Sequence, residues 1–138
     1  MSGVSDIEEL ISSMRAELLP DVYVFATTQD ESLASAVSAK MTFREAEGLT
    51  LILTREEADG LALKHDFPCR MITLNIHSSL DAIGFMAQIT THLAQLGMGV
   101  NPVSAFYHDH LFVPETAAQE ALEALHSLAN TGSSKQSR

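Results

Sequence analysis

The chain has 138 residues, 46% of them hydrophobic and 19% charged, which is typical of one globular domain or two small modules sharing a core. Its formal net charge of −10 argues against nucleic-acid backbones and anionic membranes as partners. No apolar run reaches the ~18 residues of a membrane span, and the N-terminus lacks the basic and apolar regions of a signal peptide. The single cysteine, Cys69, excludes an internal disulfide, and we therefore expect a cytoplasmic protein.

The charged residues are unevenly distributed along the chain. Between Arg70 and Lys135 there is no lysine or arginine. A segment with so few charges is expected to be partly covered, either by the first half of the chain or by a second copy of it. We therefore expect a homodimer or a higher homo-oligomer.

The first half of the chain, residues 1–66, predicts a helix followed by strands. Apolar residues at helical spacing predict a helix over 5–18, with Ser5 as its N-cap and Pro20 as its stop. A polar loop with at most one helical turn is expected over 28–35. The elements that follow from β-rich runs and from the Thr54 cap are strands at 22–27, 37–45 and 49–54 and a short helix over 55–61.

The second half, residues 67–130, predicts the order β-α-β-β-α after a connector over 64–68. Its long helix is expected to start at Ser78 or Ser79, with Asp81 at position N3 if Ser78 is the cap. The remaining elements are strands at 70–77, 100–107 and 110–113, a turn at 108–109, a last helix over 115–128 and a disordered tail over 131–138. The halves have similar orders, which predicts an α+β fold of antiparallel sheets with helices on one face.

Two motifs in the second half resemble those of a known family. They are Ile72-Thr-Leu-Asn-Ile-His-Ser-Ser-Leu-Asp-Ala-Ile-Gly-Phe85 and Ala105-Phe-Tyr-His-Asp-His-Leu-Phe-Val-Pro114, preceded by Arg44-Glu-Ala-Glu-Gly-Leu-Thr-Leu-Ile-Leu53. Over about residues 21–129 the chain resembles the small bacterial tandem ACT-domain proteins, which are related to the ACT regulatory modules of aspartate kinases. The resemblance implies ferredoxin-like βαββαβ modules, often paired through their sheets, that bind a small effector such as an amino acid. In that family the effector lies near the end of the first strand and the following helix start, which maps to residues 75–85 here.

The junction between the predicted strand and the long helix is the first candidate site. Free backbone N–H groups at a helix start, together with two serine hydroxyls, can hold a carboxylate, and Asn75 or Asp81 can then take an ammonium group. The same residues serve equally well as a capping box that only starts the helix. A glycine inside a helix is unfavourable, so Gly84 indicates close approach of a strand, a partner helix or a ligand. The candidate ligand-binding residues of this junction are Asn75, His77, Ser78, Ser79, Leu80, Asp81 and Gly84.

The hairpin tip is the second candidate site, with Tyr107, His108 and His110 as potential ligand contacts. Two histidines on alternate residues of a strand can bind zinc or nickel. No third ligand is apparent in the sequence nearby, and Asp109 favours an ordinary tight turn, so we expect no metal site. A histidine pair near an interface can also make binding pH-dependent.

No motif in the sequence indicates catalysis. Cys69 has no nucleophile motif or base partner around it and is interpreted as a structural thiol. We therefore expect no catalytic residue, no cofactor, and a non-enzymatic regulatory protein that binds a small molecule, such as an amino acid, at a module or subunit interface. One alternative is a structural or protein-interaction module that associates through its sheet edges without a ligand. Another is a small enzyme or metal protein that uses His108 and His110.

Overall fold

A computed structural model describes residues 6–76 and 80–136 as six strands and four α-helices. The strands are β1 (Arg15–Thr28), β2 (Met41–Glu45), β3 (Gly48–Thr54), β4 (Lys64–Asn75), β5 (Asn101–Ser104) and β6 (Asp109–Pro114). The helices are α1 (Ile7–Ser13), α2 (Arg55–Gly60), α3 (Phe85–Ala94) and α4 (Ala118–Gln136), with short 3-10 helices at Glu31–Ser35 and Glu115–Ala117.

All six strands form one antiparallel sheet in the order β2-β3-β1-β4-β6-β5. The first four strands of this order, with α2 and the 3-10 helix at Glu31–Ser35, make one ferredoxin-like βαββαβ module. The second module consists of β4, α3, β5, β6 and α4, and β1 stands beside β4 where the last strand of such a module would lie. The predicted α+β fold is confirmed, and the two modules share their central strands in a single continuous sheet.

Strand β1 begins earlier than the sequence pattern predicts. The helix predicted over 5–18 is confirmed over residues 7–13 but its end is wrong, because α1 ends at Ser13 and β1 begins at Arg15. Residues 15–18 pair instead with the end of β4, and the register then shifts between Leu18 and Val22. Pro20 lies in this irregularity, where its missing N–H removes no ladder hydrogen bond.

The N-cap of α1 is Asp6, whose side chain accepts a hydrogen bond from the Glu9 backbone N–H at 3.2 Å. The predicted cap, Ser5, lies outside the described residues. The other predicted cap is confirmed, since Thr54 Oγ1 accepts from the Glu57 N–H at 3.2 Å at the start of α2. Each cap satisfies an N–H group that has no partner within its helix.

The connection from β4 to α3 also differs from the prediction. The connector predicted over 64–68 is part of β4, and the long helix begins at Phe85 with Gly84 as its N-cap. Asp81 is therefore not at N3 of this helix, and the predicted caps Ser78 and Ser79 lie outside the described residues. The prediction that the helix starts at Ser78 or Ser79 is wrong.

Three smaller boundaries change at the hairpins and the C-terminus. Strand β2 begins at Met41 rather than Val37, and β5 ends at Ser104, so that residues 105–108 form the turn. The Ala105 N–H donates to the His108 carbonyl at 3.0 Å and closes this turn. Helix α4 continues to Gln136, beyond residue 128 where the sequence pattern ends it, and the disorder expected over 131–138 stays a prediction.

The two faces of the sheet carry separate cores. On one face, helices α1, α3 and α4 pack on β4 and β6 through a cluster that includes Leu10, Ile72, Ile89 and Leu125. The opposite face, which we call the open face, carries no α-helix in the described part of the chain but has a buried cluster of its own. Its members are Tyr23, Ile52, Cys69, Met71 and Phe112.

Aromatic side chains close over the open face. Phe25 and Tyr23 of β1 reach across β4 to Phe112 of β6, with ring centroids 5.7 Å and 6.1 Å apart in edge-on contacts. They cover Cys69, which is 0% exposed. The large rings of two strands thus bury the smaller side chains of the strand between them.

Candidate functional site

Three polar residues cross the open face in a straight line. Glu17 of β1 pairs with Thr73 of β4, and Thr73 pairs with His110 of β6. Directly paired residues on neighbouring strands point to the same face of a sheet. We call Glu17, Thr73 and His110 the polar row; it lies in the sheet of the second module, where residues 15–18 of β1 pair with the end of β4.

Hydrogen bonds hold both ends of the polar row in place. Thr73 is 9% exposed, and its Oγ1 lies 3.0 Å from His110 Nδ1. A buried hydroxyl needs such a partner, and the contact orients the imidazole ring. At the other end, Asn75 Nδ2 donates to Glu17 Oε1 at 3.3 Å. The carboxylate and the imidazole therefore stand on opposite sides of the Thr73 hydroxyl.

The His110 end of the polar row carries a second histidine and a carboxylate. The ring centroid of His108 lies 6.4 Å from that of His110. Burial lowers the pKa of His110 below its ordinary value of 6.5, followed by the charge of His108, while Asp109 opposes them and Lys40 adds a smaller lowering. The folded state therefore favours the neutral imidazole.

Lys40 acts on the pKa of His110 from the other half of the chain, as the smallest of the contributions that shift it. It precedes β2, which lies four strands from β6 in the sheet order. The salt bridges within residues 6–76 and 80–136 involve neither of these residues nor Glu17.

The structure brings three of the predicted site residues together. Asn75 lies two residues beyond Thr73 on the same face, and His108 and His110 stand at the start of β6 beside it. Tyr107 lies at the hairpin tip and is 69% exposed. These four residues occupy one end of the sheet.

The remaining predicted residues do not join this group. Leu80 and Asp81 are exposed in the segment that precedes α3. His77, Ser78 and Ser79 lie outside the described residues.

Gly84 is explained by packing within the chain. Its φ is +87°, a left-handed conformation that favours glycine, and a Cβ at this position would lie 2.8 Å from Ile7 Cδ1. The close approach predicted for Gly84 is therefore that of helix α1. Since Gly84 is the N-cap and makes no side-chain cap hydrogen bond, the capping box predicted between Ser78 and Asp81 does not start α3.

Sequence reasoning missed Glu17 and Lys40. Glu17 was assigned to a helix, so its pairing with Thr73 had no local signal. Lys40 influences the pKa of His110 across 70 residues of chain, which no local pattern indicates. Thr73 did give a signal, because Met71, Thr73 and Asn75 alternate with apolar residues and share a face.

Cys69 has the environment of a structural thiol. Its Sγ donates to the Tyr23 carbonyl at 3.3 Å, and burial, followed by the charge of Glu115, raises its pKa to about 12. In the described part of the chain no group of three or more His, Cys, Asp or Glu residues is arranged to hold a metal ion. The helices of residues 6–76 and 80–136 include none long and apolar enough to cross a membrane.

Two family models for the ACT domain match the chain, over residues 2–70 and 66–127. A Vibrio cholerae protein of unknown function, described as a possible transport protein, is 40% identical with a TM-score of 0.82, and the match covers 93% of this chain and 99% of that one. The ligand-free regulatory subunit of aspartate kinase from Thermus thermophilus is 12% identical with a TM-score of 0.62, over 82% of this chain and 95% of that one. At that identity the likeness shows the fold alone. No curated protein sequence matches the chain.

Proposed function

Because the chain belongs to the ACT-domain family, we propose that it is a non-enzymatic regulatory protein that binds a small effector, an amino acid, at the junction between its two modules. ACT domains are regulatory, ligand-binding modules. The Thermus thermophilus protein that shares this fold is a regulatory subunit, which supports the same role here.

The observation that carries the proposal is the polar row. It places a carboxylate, a hydroxyl and an imidazole beside the buried apolar cluster of the open face, with the exposed Arg15 and Asn75 next to them. A few convergent polar groups beside an apolar surface are the usual composition of a small-molecule site. Because β1 continues from the row into its pairing with β3, a ligand bound there contacts a strand that the two modules share.

Such a ligand stabilises one arrangement of the modules. An effector shifts a conformational equilibrium only by its difference in affinity for the two states. A small molecule that bridges Glu17 and His110 binds best when β1 and β6 are correctly spaced. Regulation then follows if a partner protein recognises that arrangement.

A thermal-shift screen of the full chain against the twenty standard L-amino acids tests the proposal. At about 100-fold excess over the dissociation constant, a ligand that binds the folded state contributes roughly 2.7 kcal/mol. For a chain of this size the expected rise in Tm is about 10 °C. A screen in which no amino acid raises the Tm at millimolar concentration would contradict the proposed function.

A second candidate function, self-association without a ligand, is favoured by the edge strand β2. Phe43 in the middle of this strand is 62% exposed, and β2 has no proline, whereas the other edge strand, β5, carries Pro102. An unprotected edge with an exposed aromatic residue can pair with the same edge of a second copy. Light scattering of the ligand-free protein tests this, with Phe43→Lys expected to shift a dimer towards monomer. A monomeric wild-type protein at high concentration would rule it out.

A further inference from the structure

A cleft of about 370 Å³ opens on the sheet at the end away from the polar row. Thr27, which lines it, stands ten residues beyond Glu17 on β1, or at most about 33 Å along an extended strand. The volume lies within the range of small-molecule sites, about 300–1,000 Å³. The lining side chains that share the open face are Phe25 and Thr27 of β1, Glu45 of β2, Thr50 of β3, and Lys64 and Asp66 of β4.

Two threonine hydroxyls and one aromatic ring form the floor of the cleft. Thr27 pairs directly with Thr50 on one side and with Lys64 on the other, so that these three side chains form a line across the face. Phe25 lies one pair further along and is half-buried. Its ring makes an edge-on contact with that of Phe67, with the centroids 5.8 Å apart, which holds it in place. The floor therefore offers hydroxyls beside the exposed part of a fixed aromatic ring.

A β-bulge sets the direction of the wall that β4 contributes. Phe67 and Pro68 lie opposite Val24 alone, and Phe67 takes a φ of +63°, which is unfavourable for so large a side chain. A bulged strand bends and changes the direction of the side chains next to it. The Phe67 N–H donates to Asp66 Oδ1 at 2.8 Å and so holds that carboxylate at the cleft.

The cleft carries charges of both signs that are not paired with each other. Thr50 Oγ1 donates a hydrogen bond to Glu45 Oε1. In the part of the chain that the structure describes, none of Glu45, Lys64 and Asp66 takes part in a salt bridge. Lys64 opposes a cationic ligand, and the two carboxylates oppose an anionic one. Because a hydroxyl group donates to a carboxylate and accepts from an ammonium group, a neutral compound with several hydroxyls satisfies both signs.

We infer that this cleft binds a neutral polyhydroxy compound, a monosaccharide, at a second site that does not depend on the proposed amino-acid site. The strands that supply its two sides, β3 and β4, are two spacings apart, or about 10 Å. A six-membered sugar ring spans about 5–6 Å between hydroxyls on opposite edges, and a hydrogen bond of about 2.8 Å at each edge brings the total to about 11 Å. The sugar ring then lies over Thr27, with one apolar face on Phe25.

Amide NMR titration of the full chain tests the inference. The neutral probes are D-glucose, D-galactose, D-mannose and D-ribose, and glucosamine and glucuronate add one positive and one negative charge to the glucose ring. Thr27→Tyr fills the cleft with a side chain that strands tolerate, and Thr42→Tyr is its matched control, because Thr42 is exposed on the opposite face of the sheet. Glu45→Gln and Lys64→Gln remove one charge each, with the exposed Glu56→Gln on α2 as the control.

At least one neutral sugar is expected to shift the amide signals of Thr27, Thr50 and Lys64 saturably at millimolar concentration. Thr27→Tyr should abolish these shifts, and the Thr42→Tyr control should keep them. The two charge variants should each bind the sugar about 3- to 10-fold more weakly, because each loses a charge-assisted hydrogen bond to a hydroxyl. Glu56→Gln should bind it as the wild type does.

The inference is overturned if no neutral sugar shifts these signals saturably, or if the shifts survive in Thr27→Tyr. If Thr27→Tyr does not fold, Glu45→Gln and Lys64→Gln decide, and wild-type binding by both overturns it. Binding of glucosamine or glucuronate more than about ten-fold tighter than that of glucose would assign the cleft to a cation or an anion and contradict the neutral class. The proposed function is tested separately, since its ligand should shift the signals of Thr73 and His110.

Discussion

Thr73 Oγ1 lies 3.0 Å from His110 Nδ1 across the pairing of β4 with β6, at the middle of a sheet face that no α-helix covers in the described part of the chain. The contact joins a buried hydroxyl to a half-buried imidazole. Because Glu17 pairs with the same threonine from β1, Thr73 lies between Glu17 and His110 on the face.

Thr73→Val should lower the free energy of unfolding by about 0.5–1.5 kcal/mol, because it removes one buried hydrogen bond while keeping the shape of the side chain. Urea denaturation with Thr91→Val, an exposed position on α3, as the control measures the difference. An unchanged midpoint for Thr73→Val would mean that its contact with His110 contributes nothing to stability.

Stability should fall as the pH falls through the range in which His110 titrates. The pKa of His110 is lowered by burial and then by the charges of His108 and Lys40, with Asp109 opposing, so the folded state favours the neutral ring. A lowered folded-state pKa contributes stability that is present above the unfolded value of 6.5 and is lost as the pH falls through the folded value.

The variant His110→Gln isolates this contribution. Urea midpoints at about pH 7.5 and about pH 5.5 should differ less in His110→Gln than in the wild type, while His92→Gln should keep the wild-type difference. An identical loss of stability on acidification in all three proteins would show that His110 does not cause it.

The packing of Ile7 on Gly84 predicts that Gly84→Ala destabilises the protein by about 1–2 kcal/mol, because a side chain is disfavoured at a φ of +87°. The added Cβ would also press on Ile7 Cδ1, the flexible end of that side chain. In an Ile7→Ala background the same substitution should therefore have a smaller effect. Gly60→Ala is the control, since no atom lies within 4 Å of its Cβ position. Equal effects at Gly84 and Gly60 would contradict this packing.

Cys69 should be unreactive in the folded protein. Its thiol is 0% exposed, and a pKa of about 12 leaves almost none of it as thiolate near neutral pH. Iodoacetamide at about pH 8 should label it only after denaturant is added. Rapid labelling of the native protein would show that the aromatic cover of the open face opens easily.

The sequence was sufficient for much of the fold because local signals and tertiary structure agree there. Strand β3 and the Thr54 cap of α2 follow directly from alternation and capping chemistry. The start of β1 could not be found this way, since Leu10, Met14 and Leu18 have helical spacing and the competing strand depends on pairing with residues more than 50 positions away. Tertiary pairing prevailed over the local pattern.

The residues of the candidate site also fall into those that local sequence signals reveal and those that depend on tertiary pairing. Asn75, His108 and His110 could be found because they are polar residues at the ends of recognisable strands. Glu17 could not, because its proximity to these residues comes from the pairing of β1 with β4. At α3, two serines gave a stronger local cap signal than Gly84, and the true N-cap depends on the approach of Ile7 from α1.

A crystal structure of the full chain with the amino acid that raises its Tm tests the central claim most directly. We predict density over Thr73, in contact with Glu17 and His110. Density for the amino acid beside Gly84 and the first turn of α3, with the polar row unoccupied, would contradict it.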